Sequence, residues 1–573
     1  MSPEYAAAPE QIADTRTDVV LCWHMHQPEY RESDTGRYQQ PWTYLHGIKD
    51  YTDMAAAIEA IPEARAVVNF SPTLLEQIDD YARRLRAYLD HGEDLPDPVL
   101  EWLVAEQLPT DPEVRARIAA QGLRANEQRL IARFPPYARL AAMARQANDD
   151  ARILSYLSEQ FFFDLLVWYH LAWCGESLRT GDDRVRQLMA QETNFGRDQR
   201  RLLLAVIADA LAGVIPRYRA LAEQGRIELS VTPYSHPILP LLLDLQSARE
   251  AVPDLPLPHC HYPGGEARVR DQLARARTVF KRFFGSTPAG CWPSEGALSE
   301  AAVRQIGAAG FRWTASGQAV LRNSRGPADP ESPCIHHAYR LKDLSPVLFF
   351  RDDGLSDKIG FEYATWRAED AVADLVHHLQ NIDRACQDRQ HRVVSIILDG
   401  ENCWEYYPHN GEFFLHALYQ TLGRHPRLRL TTFSNSGADA SAPLPLAHLV
   451  AGSWVYGTLT TWIGDPDKNR AWEMLCAAKA VYDEVVAAGE MDAPQRELAE
   501  RQLALCEASD WCWWFGDYNP ATSVAEFDAL FRSHLGQLYR LLGRPLPAAL
   551  SNTQFVGHGA PELGGVMRRG QDG

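Results

Sequence analysis

The sequence predicts an α/β fold in which a parallel sheet curls into a barrel wrapped by helices. Three observations carry this. Short runs rich in Val, Ile and Phe recur, helical patterns lie between them, and several runs end in polar or catalytic-type residues. Continuous apolar strands alternating with helices imply a parallel sheet covered on both faces. Polar residues at strand C-terminal ends are where a closed α/β barrel keeps its active site.

Strands are expected at 19–23, 66–70, 226–231, 289–292, 311–315, 347–350, 393–398 and 428–433. Between them, 300–309 reads as a helix leading into Gly310 as its C-cap, and 371–387 as another. The stretch from about 73 to 223 interrupts the rhythm. LLEQIDDYARRLRAYL and EQFFFDLLVWYHLAW carry apolar residues at three- and four-residue spacing, so this stretch reads as a helical insertion. The barrel is thus assigned to 15–441 and a C-terminal α-helical domain completing the cleft to 442–550. A loosely ordered, Gly-rich tail is expected over 551–573.

Composition narrows the function. Hydrophobic residues at 46% allow a sizeable core in a 573-residue chain. A net charge of -18, from 57 basic and 75 acidic residues, argues against nucleic acid or an anionic membrane surface as partner. The opening MSPEYAAAPEQIADT lacks a basic n-region and an apolar core, and no apolar run reaches about 18 residues. The ten cysteines form no CxxC pair and several sit in apolar runs, which reads as reduced thiols of a cytoplasmic protein. His259, Cys260 and His261 have ligand chemistry but no second ligand pair nearby, so no metal or other cofactor is expected. Fifteen Trp exceed ordinary usage; core packing accounts for some, and stacking platforms for sugar rings for others.

Six stretches bear chemistry. In DVVLCWHMHQPEY, a buried-looking strand ends in His24, Met25, His26 and Gln27, and strand alternation places both imidazoles on one side. In VVSIILDGENCWEYYPHNG, an apolar run leads into Asp399, with Trp404 close behind. A carboxylate there is costly unless it works or is paired, and burial raises its pKa toward general-acid use. A helix-capping Asp is the plain alternative. GCWPSEGALSE ends another strand in Trp292 and Glu295, with Pro293 stiffening the turn. Two carboxyl groups on one rim are the minimum apparatus for breaking a glycosidic bond. GRIELSVTPYSHPILPLL supplies Glu228 and His236, sugar ligands or internally paired structural residues. Trp454, Trp462 and Asp465, and later Trp513, lie in aromatic stretches able to roof a cleft.

HMHQP, GRIEL, CWPSE, ILDGEN and TTWIGDPDKNRAW, in this order, resemble the five ordered regions of glycoside hydrolase family 57. FFRDDGLSDKIGFEY and SDWCWWFGD extend the likeness toward its amylopullulanase and α-amylase branch, from Asp18 to Asp517. The resemblance implies a distorted (β/α)7 TIM-like barrel followed by an α-helical domain. It implies retaining hydrolysis of α-1,4-glucans, with α-1,6 linkages as a further candidate, through a covalent glycosyl-enzyme; 4-α-glucanotransferase chemistry is the alternative on the same site. Glu295 carries over as nucleophile and Asp399 as general acid/base. His24, His26 and Glu228 line the subsite of the cleaved sugar, with Trp462 and Asp465 near it from the helical side. With seven strands implied, at least one of the eight expected lies outside the ring. Two rivals come from other classes. A metal-dependent barrel hydrolase would use the HxH pair as zinc ligands but needs further His or Lys on the middle strands. A catalytically inactive glucan-binding protein would keep only the fold.

Overall fold

A computed structural model describes residues 16–149, 151–325, 334–386, 391–438 and 443–559. Its strands are β1 (Thr17–Met25), β2 (Ala66–Phe70), β3 (Ile227–Val231), β4 (Gly290–Cys291), β5 (Trp313–Gly317), β6 (Tyr339–Leu341), β7 (Val347–Arg351), β8 (Val393–Asp399), β9 (Leu428–Thr431) and β10 (Leu444–Leu446). Seven of them, in the order β1-β2-β3-β4-β5-β7-β8, pair in parallel, and β8 returns to β1 to close the ring. The closure is uneven. β8 pairs with β1 from Asp18 to His24, whereas β7 meets β8 at the single register Arg351–Ser395.

The eighth expected strand is β9, and it is the one outside the ring. It pairs with the first half of β1, Thr17 to Val20, while β2 takes the second half, Cys22 to Met25. β6 runs antiparallel to β7 and carries β10 on its far side.

Strand alternation sorts the core into two layers. Val20, Cys22, Val67, Trp313, Ala315, Val347, Phe349, Val393 and Ile397 fill the barrel with Phe433. Val19, Leu21, Trp23 and Met25 pack outward among the helices. Burial on both faces is why these strands read as continuous apolar runs. β4 is short and built around Gly290, opposite Trp313, whose indole occupies the space a Cβ at Gly290 would need.

Between β2 and β3 the chain is helical, from Pro72–His91 through to Arg197–Glu223. The helix Glu159–Trp173 is buried on every face from Phe161 onward, so its apolar spacing marks a core helix rather than an amphipathic one. The helix expected at 300–309 runs Glu300–Ala308. The Ser299 hydroxyl accepts from Ala302 N at its start, and Gly310 follows at φ +86°. The helix expected at 371–387 is Ala368–Ala385, and Gln387 lies outside the described residues.

After β10 come the helices Pro466–Ala487, Ala493–Cys506, Asp510–Trp514 and Ala521–Leu541. They dock on the barrel helix Gly265–Phe284 through the buried Glu507, which accepts from Arg268 Nε (2.6 Å), Tyr262 Oη (2.5 Å) and Gln272 Nε2 (2.5 Å). The segment expected to trail from Ser551 instead packs as far as Gly559. Phe555 is buried against Phe515, ring centres 4.0 Å apart, and Gly559 N donates to Asn519 O. Residues 560–573 lie outside the described residues. Among the described residues no helix is long and apolar enough to cross a membrane.

Candidate active site

His24 is the last inward residue of β1, level with Asn69 on β2 and Asp399 on β8. Its Nδ1 lies 2.7 Å from Asn69 Oδ1 and its Nε2 3.1 Å from His236 Nε2. His236 follows β3 at φ +67°, a strained conformation for a non-glycine residue, and its Nδ1 lies 2.8 Å from Ser509 Oγ. His26, one step past β1, places Nδ1 2.8 Å from Ser71 Oγ and Nε2 2.8 Å from Asp510 Oδ1. The three rings stack nearly parallel, with His26 and His236 centres 3.8 Å apart and His24 and His236 5.2 Å apart.

Hydrogen-bond logic fixes two tautomers. Asn69 Oδ1 can only accept, so His24 carries its hydrogen on Nδ1, and its Nε2 accepts from His236 Nε2–H. His236 Nδ1 then accepts from the Ser509 hydroxyl. Burial, reinforced by the neighbouring His26, pushes the His24 pKa down to about 3 and that of His236 well below the usual histidine value. The site therefore presents two neutral imidazoles. Atoms of His26, His236 and Asp510 come within 4.8 Å of one another, close enough for a shared metal ion, but each histidine nitrogen here already has a protein partner.

Asp399 ends β8. Burial raises its pKa, opposed by a hydrogen bond from Asn402 Nδ2 (3.1 Å) and by the charges of His26 and Arg351. Glu401, two residues on, is buried more completely. Its Oε1 accepts weakly from Gln27 Nε2 (3.3 Å) and His26 N (3.4 Å), while Oε2 has no hydrogen-bond partner. Burial, then the charges of Asp399 and Asp50, raises its pKa well above the ordinary carboxylate value. Gly400 lies between them because a Cβ there would strike the Met25 sulfur.

Glu295 follows β4 in a tight turn with φ 59° and ψ 21°, after Pro293 at φ -67°. Trp454 clasps it twice: the indole Nε1 donates to Oε2 (2.9 Å) and the backbone N donates to Glu295 O (3.1 Å). Trp454 also meets Trp292 edge-on, centres 5.2 Å apart, and carries the Arg351 guanidinium 5.4 Å from its ring centre. Trp292 lies 6.4 Å from His24. Arg351, set against the Trp454 ring that holds Glu295, also acts on Asp399 through its charge, and both carboxyl groups follow the C-terminal ends of barrel strands.

The remaining expected residues divide. Gln27 is buried and serves Glu401, also accepting from Tyr30 Oη (3.1 Å). Glu228 faces the barrel interior below the rim, where Trp313 Nε1 (2.6 Å) and Ser434 N (2.9 Å) and Oγ (2.7 Å) satisfy it; it is the internally paired alternative. Trp404 does not join the rim constellation. It packs among Trp23, Tyr407 and Phe414 and donates to Gly400 O, which makes it a core residue. Asp465 caps the helix Pro466–Ala487. Trp462 is fully buried, its Nε1 without a hydrogen-bond partner, with Trp513 6.2 Å away.

Asn69, Ser71, Arg351, Glu401, Ser509 and Asp510 entered the site without being singled out from sequence. Asn69 left a signal, an amide inside the apolar run AVVNF. Ser509 and Asp510 open SDWCWWFGD, where the tryptophans draw the eye from the polar pair.

A closed parallel barrel with carboxyl groups, imidazoles and indoles gathered at the C-terminal ends of its strands has the architecture of a barrel enzyme. The chain belongs to glycosyl hydrolase family 57, whose family model matches residues 20–441, and is thus an enzyme of glycosidic-bond chemistry. Its fold is similar to the branching enzyme of Thermococcus kodakaraensis (TM-score 0.57, 14% identity, covering 92% of this chain and 90% of that one). It is also similar to the branching enzyme of Pyrococcus horikoshii (0.55, 15%, 95% and 99%) and the α-amylase AmyC of Thermotoga maritima (0.54, 13%, 92% and 93%). Comparison with the curated proteins finds no match.

Proposed function

We propose that this chain cleaves α-1,4-glucans with retention of anomeric configuration. Glu295 attacks the anomeric carbon while Asp399 protonates the departing glucosyl oxygen, which leaves a covalent glycosyl-enzyme. Asp399, now ionised, takes a proton from water as the water oxygen attacks C1, releasing sugar and freeing Glu295. The reading rests most on Asp399, a carboxyl group at the end of β8 on the same rim as Glu295; burial shifts the Asp399 pKa upward, the direction a general acid needs. Trp454, half-buried beside Glu295, suits stacking on a sugar face, while the fully buried Trp292 packs behind it and the neutral His24 and His236, tied to Asn69, Ser509 and each other, shape the floor of the site. Family membership and the glucan-active enzymes of similar fold support the substrate class.

A second reading, transfer of the glycosyl unit to another glucan, is favoured because two of the similar structures are branching enzymes. Product analysis on maltooligosaccharides, amylose and pullulan separates them. Shorter chains alone mean hydrolysis, chains longer than the donor mean 4-α-glucanotransfer, and new α-1,6 linkages mean branching. Glu295→Ala is expected to lower turnover by at least about a thousandfold while glucan binding persists. Substantial residual turnover would move the nucleophile elsewhere.

A further inference from the structure

Away from the carbohydrate chemistry, three soft or borderline ligands converge where the barrel closes, with a second imidazole, His337, beside one of them. Cys334, His336 and His337 lie in the loop entering β6, and Cys386 caps the helix Ala368–Ala385. Ligand atoms of Cys334, His336 and Cys386 all lie within 4.8 Å of one another. The two sulfurs are 3.8 Å apart. That is the spacing of two thiolates on one tetrahedral zinc, since bonds of about 2.3 Å at the tetrahedral angle put the sulfurs about 3.8 Å apart; a disulfide needs about 2.05 Å.

The imidazoles complete the pattern. His336 turns Nε2 to Asp352 Oδ2 (3.0 Å) and contacts both thiols with the rest of its ring. A carboxylate holding the outer nitrogen of an imidazole is the usual support for a metal-bound histidine. His337 stands against the Cys334 sulfur, and its Nε2 is buried with no hydrogen-bond partner. An orphaned buried imidazole nitrogen is costly unless something binds it.

We propose that Cys334, Cys386, His336 and His337 form a structural Cys2His2 zinc site. Its ligands come from a loop that accepts from Val393 N at the start of β8 and from a helix end, while its supporting carboxylate directly follows β7. The ion therefore staples the β7–β8 seam, where one register pair closes the ring. Four protein ligands leave no open position, so the zinc takes no part in turnover.

The test uses the full chain purified under reducing conditions and titrated with zinc or cobalt alone. About one zinc per chain should survive dialysis. Cobalt should give thiolate charge-transfer absorption and the intense visible bands of tetrahedral coordination. Zinc should shield both thiols from a thiol reagent. Cys334→Ser with Cys386→Ser should abolish retention, and Asp352→Asn, which keeps a capping side chain, should weaken it about 10- to 100-fold. Free, unshielded thiols with no cobalt–thiolate band in the unaltered protein would overturn the proposal, as would a Cys334–Cys386 disulfide formed in preference to metal binding. The cobalt readout needs no variant to fold.

Discussion

At the scale of single residues, the site works against its own stability. Glu401 has a higher pKa folded than unfolded, so the stability it contributes is full below its unfolded value near 4.5 and is lost as pH rises toward its folded value. Glu401→Gln should therefore stabilise the protein, by nothing at pH 4 and by about 1.4 kcal/mol for each pH unit above it over the lower part of the range. Thermal melts of both proteins at pH 4, 5.5 and 7 check this, and a pH-independent difference would refute it. His24 acts in the opposite sense. Its pKa falls from 6.5 to about 3 on folding, so its contribution is present above pH 6.5 and drains away between 6.5 and about 3. His24→Gln should flatten that acid limb, read from the same melts.

Individual residues also differ in how plainly the sequence announces them. Glu295, Asp399, His24 and His26 are polar groups ending apolar runs, and a strand end is a local property. Glu401's lost solvation and Asp510's meeting with His26, 484 positions away along the chain, arise only from assembly.

At the scale of elements, strand composition exposes burial but not partnership. All eight expected strands exist, yet nothing in LRLTTF distinguishes a ring strand from one wedged beside half of β1. β4 is the opposite case: two residues of ladder, expected from flanking cues, whose position is pinned by Trp313 leaning over Gly290. Gly290→Ala should cost at least about 1–3 kcal/mol by overpacking. Displacing the indole also strips Glu228 of its shortest hydrogen bond. Urea denaturation followed by tryptophan fluorescence measures both effects; an unchanged midpoint would mean the barrel interior has slack there.

At the scale of the whole molecule, barrel and C-terminal helices are joined by ion pairs and polar contacts as well as by packing. Glu507 gathers Arg268, Tyr262 and Gln272 in a buried cluster that no local pattern announces. Glu507→Ala leaves the buried Arg268 guanidinium with only the part-exposed Asp271 (3.2 Å) as counter-charge, expected to cost about 3 kcal/mol. Calorimetry should then show the helical region melting ahead of the barrel; a single transition at the original midpoint would refute the cluster's role in docking. The helical insertion and C-terminal helices were legible as elements because their periodicity is long and sustained. Their docking was not, because it depends on pairs hundreds of residues apart.

His26 is among the first residues of the described chain and Asp510 among the last of its helices, and they share one hydrogen bond. During synthesis the imidazole stack therefore stays incomplete until the final helices leave the ribosome. A nascent chain stalled before Ser509 can close its ring of strands and still lack the groups that orient two of the three rings, so the site is finished only once Ser509 and Asp510 have been added and docked.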